Sequence, residues 1–209
     1  MQKRKQDETT HGAQLINFLD ENQCKAVIRY SKFLEQHRGS VQKKDSTRTE
    51  ETASIRDVVV YPLNSISKSY SSSFFPDRPA FEKGRKLYDE IQKNLMTIIK
   101  EQNDIFNYKI DGLCESPQLL EYEAPSHGYD WHTDIGNGEA SLRKLSVSIF
   151  LNEDYQGGEF CFFDRGERPI KPLTGQALIF SSFCPHRVKP VTKGTRWSLV
   201  AWVSGPCFK

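Results

Sequence analysis

Residues 144–151 read Lys-Leu-Ser-Val-Ser-Ile-Phe-Leu, a short run in which β-branched and aromatic residues dominate the apolar positions. A run of this length and composition predicts a β-strand. Similar runs fill most of the chain beyond Asp104 and are separated by Gly, Pro and Asn; they cover 118–123, 129–134, 158–163, 176–181, 185–191 and 196–203. Closely spaced short strands with turn signals between them predict an all-β half, folded as a sandwich or jelly roll.

The first half of the chain has a helical pattern instead. Apolar residues recur at helical spacing from Leu15 to Gln36, and Asp20 with Gln23 resembles a capping pair that starts the main helix. A second amphipathic helix is predicted over 80–102. We expect these two helices to cover one sheet of the β half.

The segments between these elements predict one short strand among loops. Ile55 to Leu63 is β-like, whereas 39–54 and 64–79 are polar and rich in Ser. The predicted organisation is therefore a disordered leader and a single domain with two parts; their bounds are 1–13 for the leader, 14–209 for the domain, 14–104 for its helical and loop support, and 105–209 for its jelly-roll core.

Composition excludes several classes of protein. The chain has 209 residues, 37% of them hydrophobic and 27% charged, and a net charge of +2, which fits one globular domain without the charge surplus of a nucleic-acid-binding protein. No apolar run approaches the roughly 20 residues that cross a bilayer, and the N-terminus does not resemble a secretory signal. We therefore expect a cytoplasmic protein. The five cysteines include no C-x-x-C pair, and we interpret them as reduced thiols, mostly in the core.

The first candidate for chemistry is the H-x-D motif of His132 and Asp134. On a strand, residues two apart point to the same face, so both side chains can reach one ligand. By itself the motif is weak, because a surface histidine near an aspartate has the same pattern.

His186 and Arg196 strengthen the metal hypothesis. Two histidines and one carboxylate form the ligand set that leaves one face of iron(II) open. The alternative for His186 is a core histidine bonded to the backbone. Arg196, at the start of a predicted strand, has the guanidinium geometry to grip a carboxylate with two parallel hydrogen bonds, whereas in isolation it would be interpreted as a surface arginine.

The order of these motifs resembles the 2-oxoglutarate and iron(II)-dependent dioxygenases, in particular their prolyl 4-hydroxylase-like branch. The resemblance extends from Gln118 to Val203, and the helical half is similar at Phe18-Leu19-Asp20 and Ile55-Arg56-Asp57. Five separated elements occur in register: Leu120-Glu121-Tyr122, His132-Thr133-Asp134, Leu145 to Asn152, Gly157-Gly158-Glu159, and His186-Arg187-Val188-Lys189-Pro190-Val191-Thr192-Lys193-Gly194-Thr195-Arg196.

This resemblance implies a fold and a set of roles. The fold is a double-stranded β-helix, that is a cupin-like jelly roll, with two flanking helices. Iron(II) is bound by His132, Asp134 and His186, while Arg196 pairs with the distal carboxylate of 2-oxoglutarate, where the family often has Lys. Tyr122 donates to the cosubstrate, unless it is only a core aromatic. The other residues expected around the cosubstrate are Ser148, Phe150, Phe160, Phe162, Val188, Val200 and Trp202. Phe150 departs from the tyrosine found at this position in relatives, which removes one possible polar contact.

The implied activity is hydroxylation of a C–H bond by O2, with 2-oxoglutarate converted to succinate and CO2. The leading substrate is a prolyl residue of a peptide or protein. Another protein side chain, a free amino acid or a small metabolite remains open, as do a non-catalytic metal-sensing or oxygen-sensing module, an ascorbate requirement and the oligomeric state. Asp134 argues against halogenation, and the lack of a basic residue in 199–203 argues against nucleic-acid demethylation.

The two polar loops, 39–54 and 64–79, are candidates for a substrate lid. Phe74, Phe75 and Trp131 would then form the aromatic edges of a groove for an extended, proline-containing peptide. Plain connecting loops, with the two phenylalanines packed on the chain's own helices, are the alternative.

Overall fold

The computed structural model describes residues 12–39, 41–42, 49–50, 56–66, 77–164 and 166–207; for 41–42 and 49–50 it describes the backbone alone. Most of the predicted leader lies outside these residues, as do large parts of both polar loops, including Phe74 and Phe75. Over the described ranges, no helix combines the length and the apolar character needed to cross a membrane.

Two α-helices and a series of short strands make up the described chain. In chain order they are β1 (Gln14–Asn17), α1 (Glu21–Tyr30), β2 (His37–Arg38), β3 (Val41–Gln42), β4 (Thr49–Glu50), β5 (Arg56–Asp57), β6 (Val59–Pro62), α2 (Arg78–Phe106), β7 (Gly112–Leu113), β8 (Gln118–Glu123), β9 (Gly128–His132), β10 (Arg143–Phe150), β11 (Gln156–Gly157), β12 (Phe160–Phe163), β13 (Glu167–Ile170), β14 (Gln176–Ser181), β15 (His186–Val188), β16 (Val191–Lys193) and β17 (Thr195–Ser204).

Most of the strands form two facing antiparallel sheets, while β3 with β4 and β11 with β16 form separate pairs. The major sheet has the order β1-β14-β10-β17-β8-β6-β2, with β7 beside β17, and the minor sheet has the order β13-β12-β15-β9-β5. Residues of both sheets meet in one inner cluster, to which Leu120 and Phe180 contribute from the major sheet and Phe160 and Val188 from the minor sheet. This arrangement confirms the predicted jelly-roll class.

The helix α1 begins where the capping pair predicts. The Asp20 carboxylate accepts a hydrogen bond from the Gln23 N–H at 2.8 Å, and the Gln23 side chain accepts one from the Asp20 N–H at 2.9 Å. The longer helix predicted from Leu15 to Gln36 is wrong at both ends. Leu15 lies in the edge strand β1 beside β14, and after Tyr30 the chain tightens into a single 3-10 turn.

The two helices cover the outer face of the major sheet, as predicted. α2 extends beyond the predicted 80–102 at both ends. It is terminated by its C-cap residue Asn107, which has a left-handed backbone conformation with a φ of 55°. Its buried Leu95 and Ile99 share one apolar cluster with Leu145 and Ile149 of β10. Burial of this cluster stabilises the domain and holds the major sheet as a rigid support for its opposite face.

Most predicted strands are present with small differences in their bounds. The runs 118–123 and 176–181 coincide with β8 and β14, whereas 185–191 divides into β15 and β16 because Pro190 cannot donate a ladder hydrogen bond. The run 55–63 likewise divides into β5 and β6. Cys24, Cys161 and Cys184 are buried free thiols, which agrees with the interpretation of the cysteines.

Candidate active site

The three predicted metal ligands meet at one end of the minor sheet. His132 on β9 lies directly opposite His186 on the neighbouring β15. Asp134 is not on the strand, as the H-x-D reasoning assumed, because β9 ends at His132. Its N–H instead donates to the Ser182 carbonyl at 2.9 Å, which brings the loop back toward β15. The ligand atoms of the three side chains all lie within 4.8 Å of one another.

Both imidazole rings are held by backbone carbonyls. Nδ1 of His132 lies 2.7 Å from the Asp130 carbonyl, and Nδ1 of His186 lies 2.9 Å from the Cys184 carbonyl. A carbonyl can only accept, so each Nδ1 carries the proton and each Nε2 presents its lone pair. The Nε2 atoms of His132 and His186 lie 3.7 and 3.6 Å from the Asp134 oxygens, too far for good hydrogen bonds. Histidines that bind metals are held in this way.

Electrostatics favour the metal-binding protonation states. Burial, with the neighbouring His186, lowers the pKa of His132 to about 3, which keeps this imidazole neutral. Burial alone would raise the pKa of Asp134. The histidines and hydrogen bonds from Ser146 and Trp202 outweigh that effect and hold the pKa of Asp134 below its ordinary value. The carboxylate is therefore ionised at neutral pH.

This donor set fits a divalent cation. Two imidazole lone pairs and one carboxylate converge on a common point, and none of them is used up by a hydrogen bond between the three ligands. Mixed nitrogen and oxygen donors, with ligands supplied from one side only, suit iron(II). The residues present therefore fit the metal that the sequence resemblance implies.

Arg196 occupies a second, cationic end of the site. It lies on β17 opposite Tyr122 of β8, and only 1% of its surface is exposed. Nη1 donates to the Ser198 hydroxyl at 3.0 Å, whereas Nε and Nη2 are buried without a hydrogen-bond partner among the described residues. Since a guanidinium stays charged and its burial without an anion is costly, this position fits a ligand carboxylate.

A glycine makes room for that arginine. Gly158 has a φ of 66°, and a Cβ placed there would lie 2.9 Å from Cδ of Arg196. The guanidinium lies 5.4 Å from the Tyr122 ring centroid and 5.5 Å from that of Phe150. The stem of Arg196 is thus fixed by close packing while part of its charged end stays open to a ligand.

One cavity of about 450 Å³, including solvent at its mouth, joins the two ends. Its lining includes the metal cluster, Arg196 and most of the residues predicted around the cosubstrate, namely Tyr122, Ser148, Phe160, Val188, Val200 and Trp202. The predicted Phe150 and Phe162 lie in the inner cluster outside this lining. The structure therefore brings these residues together, while their roles remain predictions.

Several site residues were missed by the sequence reasoning. Ser146 donates to Oδ2 of Asp134 at 2.6 Å. It lies two residues before Ser148 on the same strand, so the alternation of side chains between the two faces could have identified it. Tyr129 stacks on His132, with ring centroids 3.5 Å apart, and the Arg56 guanidinium lies 5.0 Å from the Tyr129 ring centroid. No local signal in the sequence marks these stacking contacts.

Two histidines and one carboxylate held inside a jelly roll form the ligand set that is typical of non-haem iron proteins. Residues 117–204 match the sequence model of the 2OG-Fe(II) oxygenase superfamily. This segment, which carries the metal cluster and Arg196, is therefore similar to that superfamily, and its relatives include PKHD-type hydroxylases.

Individual relatives agree with this assignment. A PKHD-type hydroxylase from Synechococcus sp. strain CC9902 is 35% identical over 88 residues, which are 41% of this chain and 40% of that protein. The chain spans about half or less of the length of the curated relatives it matches first.

Two solved structures show the same fold over most of the chain. A Trichoplax adhaerens prolyl hydroxylase, in complex with a hypoxia inducible factor peptide fragment, has a TM-score of 0.65 at 20% identity and covers 94% of this chain and 85% of its own. A Pseudomonas putida prolyl-4-hydroxylase has a TM-score of 0.59 at 20% identity, and the match covers 95% of this chain and 96% of that protein's chain.

Proposed function

We propose that this protein is an Fe(II)- and 2-oxoglutarate-dependent dioxygenase that hydroxylates a prolyl residue of a peptide or protein. The observation that carries the proposal is the shared cavity, with a three-residue metal cluster and a buried arginine lacking an acidic partner among the described residues. A dicarboxylate is the ligand that satisfies both: one end can coordinate the metal while the other pairs with the guanidinium.

In this mechanism His132, Asp134 and His186, which line the cavity, would hold the iron. Bound iron supplies the oxygen chemistry, in which O2 oxidises 2-oxoglutarate to succinate and CO2 and a substrate C–H bond is hydroxylated. The protein's own task is orientation and exclusion of water.

Arg196 performs the orienting step at the far end. Its Nε and Nη2 donors are available for two hydrogen bonds to one carboxylate, which fixes both the distance and the plane of the cosubstrate. Tyr122, which lines the same cavity with its ring centroid 5.4 Å from the guanidinium, would supply a further donor. Burial raises the pKa of Tyr122, so its proton stays available for donation. Phe160, Val188 and Val200 close the rest of the cavity against water.

The choice of a peptide substrate rests on the relatives and on an aromatic pair of the minor sheet, which lies outside the cavity lining. Trp131, next to His132, packs edge-on against Phe163 with ring centroids 5.5 Å apart, and Phe163 is 55% exposed. An extended, proline-containing segment has few backbone donors to satisfy and little conformational freedom to lose, so an aromatic edge binds it well. The other two predicted edges, Phe74 and Phe75, lie outside the described residues.

The test is direct oxidation of candidate substrates. Protein loaded with Fe(II) would be incubated with 2-oxoglutarate and proline-containing peptides, and mass spectrometry would look for a gain of one oxygen. Matched peptides with Ala in place of Pro, free proline, and the Asp134→Ala protein serve as controls. Oxygen gained on the proline peptides alone supports the proposal.

Other outcomes separate the alternatives. Succinate formation without any peptide oxidation would favour a free amino acid or metabolite as substrate. Absence of succinate under all conditions, with ascorbate present to keep the iron reduced, would contradict the dioxygenase assignment. Parallel reactions without ascorbate would show whether it is required.

A further inference from the structure

Asp134 depends on distant residues for its position, because it lies in a loop beyond the end of β9. Its carboxylate accepts from the Ser146 hydroxyl at 2.6 Å, and the Trp202 indole lines the same cavity. Its backbone carbonyl accepts a hydrogen bond from Nη1 of Arg143 at 3.0 Å. The side chain and the backbone of this ligand are thus held by different partners.

Arg143 also contacts Trp202. Its guanidinium lies 4.0 Å from the ring centroid of Trp202, close enough for a strong cation–π contact. The same guanidinium therefore contacts the backbone of Asp134 and the indole of Trp202, which lines the cavity together with Asp134. Arg143 is the first residue of β10, at a point where the strand's register with β17 shifts, so its backbone is anchored in the major sheet.

Glu115 holds this guanidinium in place. Nη2 of Arg143 forms an ion pair with Oε1 of Glu115, and Oε2 of Glu115 accepts from the Gln118 side chain at 3.0 Å. The two charged side chains are 18% and 32% exposed, so water screens their attraction in part. The ion pair's main effect is geometric, because it selects one orientation of the planar guanidinium.

We propose that Arg143, oriented by Glu115, is a positioning residue that sets Asp134 for metal binding. The inference rests on the proposed function, since it takes Asp134 as a metal ligand. Ligand carboxylates are tuned by the groups that hydrogen-bond them, and loss of such outer contacts typically weakens metal affinity or activity 10- to 100-fold. Arg143 acts one step further out, by fixing both the loop and the indole.

The chain contains a matched control for this arrangement. Arg187 also lies over a tryptophan, 4.9 Å from the ring centroid of Trp131, and also pairs with a glutamate, Glu167. Within the described residues it makes no hydrogen bond to any of the three ligand residues. Arg187→Met therefore removes an equivalent arginine–tryptophan–glutamate contact without touching Asp134.

Titration of the metal-free protein with Co(II), followed by visible absorption, tests the proposal without relying on turnover. Arg143→Met should weaken Co(II) binding about tenfold or more and alter the spectrum of the saturated site, which reports ligand geometry. Arg143→Lys, which keeps a donor and the charge, should recover part of the affinity, and Arg187→Met should bind like the wild type. The unfolding midpoint of the metal-free Arg143→Met protein should fall by no more than about 4 °C.

Contrary results are distinct from one another. Unchanged Co(II) affinity in Arg143→Met overturns the inference, including the case where only the peptide KM rises, because Arg143 would then contact substrate. A wild-type protein that binds no Co(II) overturns the metal site itself and this inference with it. If Arg143→Met does not fold, Arg143→Lys and Glu115→Gln decide: a several-fold loss of Co(II) affinity in both supports the inference, and unchanged affinity in both refutes it.

Discussion

The two faces of the central strands β10 and β17 differ sharply, although their residues are only one position apart. The face toward the helices is apolar and closed: Leu145, Val147 and Ile149 are at most 1% exposed. The face toward the minor sheet carries Ser146 and Arg196, equally buried but polar. Alternation of side chains along a strand separates the two environments completely.

This difference shows how the fold divides its tasks. Burial of the outer face against α1 and α2 stabilises the folded state, and this stabilisation needs no ligand. The inner face includes a guanidinium whose Nε and Nη2 have no partner within the described part of the chain, so its hydrogen bonding is completed only by something bound. Substitutions on the outer face should therefore change stability, and those on the inner face should change binding.

The largest expected effect is that of Asp134→Ala. Iron-dependent formation of succinate from 2-oxoglutarate should be abolished, because the only anionic ligand of the cluster is lost. The metal-free protein should remain folded, because its stability comes mainly from the apolar core and not from this ligand. Asp130→Ala is the control, because the Asp130 side chain is exposed. An active Asp134→Ala protein would contradict the metal assignment.

Arg196→Met should produce the second largest effect. Loss of a buried ion pair between Arg196 and a carboxylate costs on the order of 2–5 kcal/mol, so the 2-oxoglutarate Kd should rise roughly 30-fold or more. Unfolding of the ligand-free protein should be unaffected or slightly harder, because Arg196 has no acidic partner among the described residues. Calorimetric titration with 2-oxoglutarate measures the first effect and denaturant unfolding the second. Arg168→Met, an exposed arginine on β13, should match the wild type in both.

Much of the fold and the central site was predictable because the relevant signals are local. Strand runs, helical spacing and the Asp20–Gln23 capping pair each depend on neighbours in sequence. The structure confirms the strands, the capping pair and the presence of both helices, but not the predicted ends of the first helix. His132 and His186 were each placed on a predicted strand, and the family resemblance implied that they share a metal. In the structure the two residues pair directly across β9 and β15.

The rest depended on contacts between distant residues. Leu15 and Ile16 fit helical spacing as well as strand spacing, and pairing with β14 decides between them, since Leu15 packs on the inner cluster and Ile16 on the outer one. The partners of Asp134 come from two distant segments of the chain, β10 and the loop that follows β14. No pattern within one segment indicates such convergence, so Arg143 was not found.

The third prediction compares neighbouring residues on opposite faces of β10. Ile149→Ala should destabilise the protein by about 2–5 kcal/mol, because it opens a cavity in the fully buried outer cluster. Ser148→Ala should change the free energy of unfolding by less than about 1 kcal/mol, since it leaves the apolar packing intact. Urea unfolding measures both. At urea concentrations well below its unfolding midpoint, the Ile149→Ala protein should retain wild-type affinity for 2-oxoglutarate. A large loss of this affinity would show that the two faces of β10 are not independent.

The smallest expected effect comes from single hydroxyl groups on the inner face. Ser146→Ala removes the hydrogen bond to Oδ2 of Asp134 and should weaken Co(II) binding by about tenfold, since leaving a buried charged acceptor unsatisfied costs about 1–3 kcal/mol. Affinity for 2-oxoglutarate should change little in the metal-free protein.

Ser198→Ala provides the reciprocal case. Ser198 accepts from Nη1 of Arg196 at 3.0 Å and touches none of the metal ligands through a hydrogen bond in the described structure, so its loss should affect 2-oxoglutarate binding and spare Co(II). Without the Ser198 hydroxyl, Nη1 of Arg196 loses its acceptor and the guanidinium is held less firmly. The affinity for 2-oxoglutarate should therefore fall only a few-fold. If both serine variants lower stability alone and leave both affinities unchanged, the inner face supports the fold in the same way as the outer face, and the division between them fails.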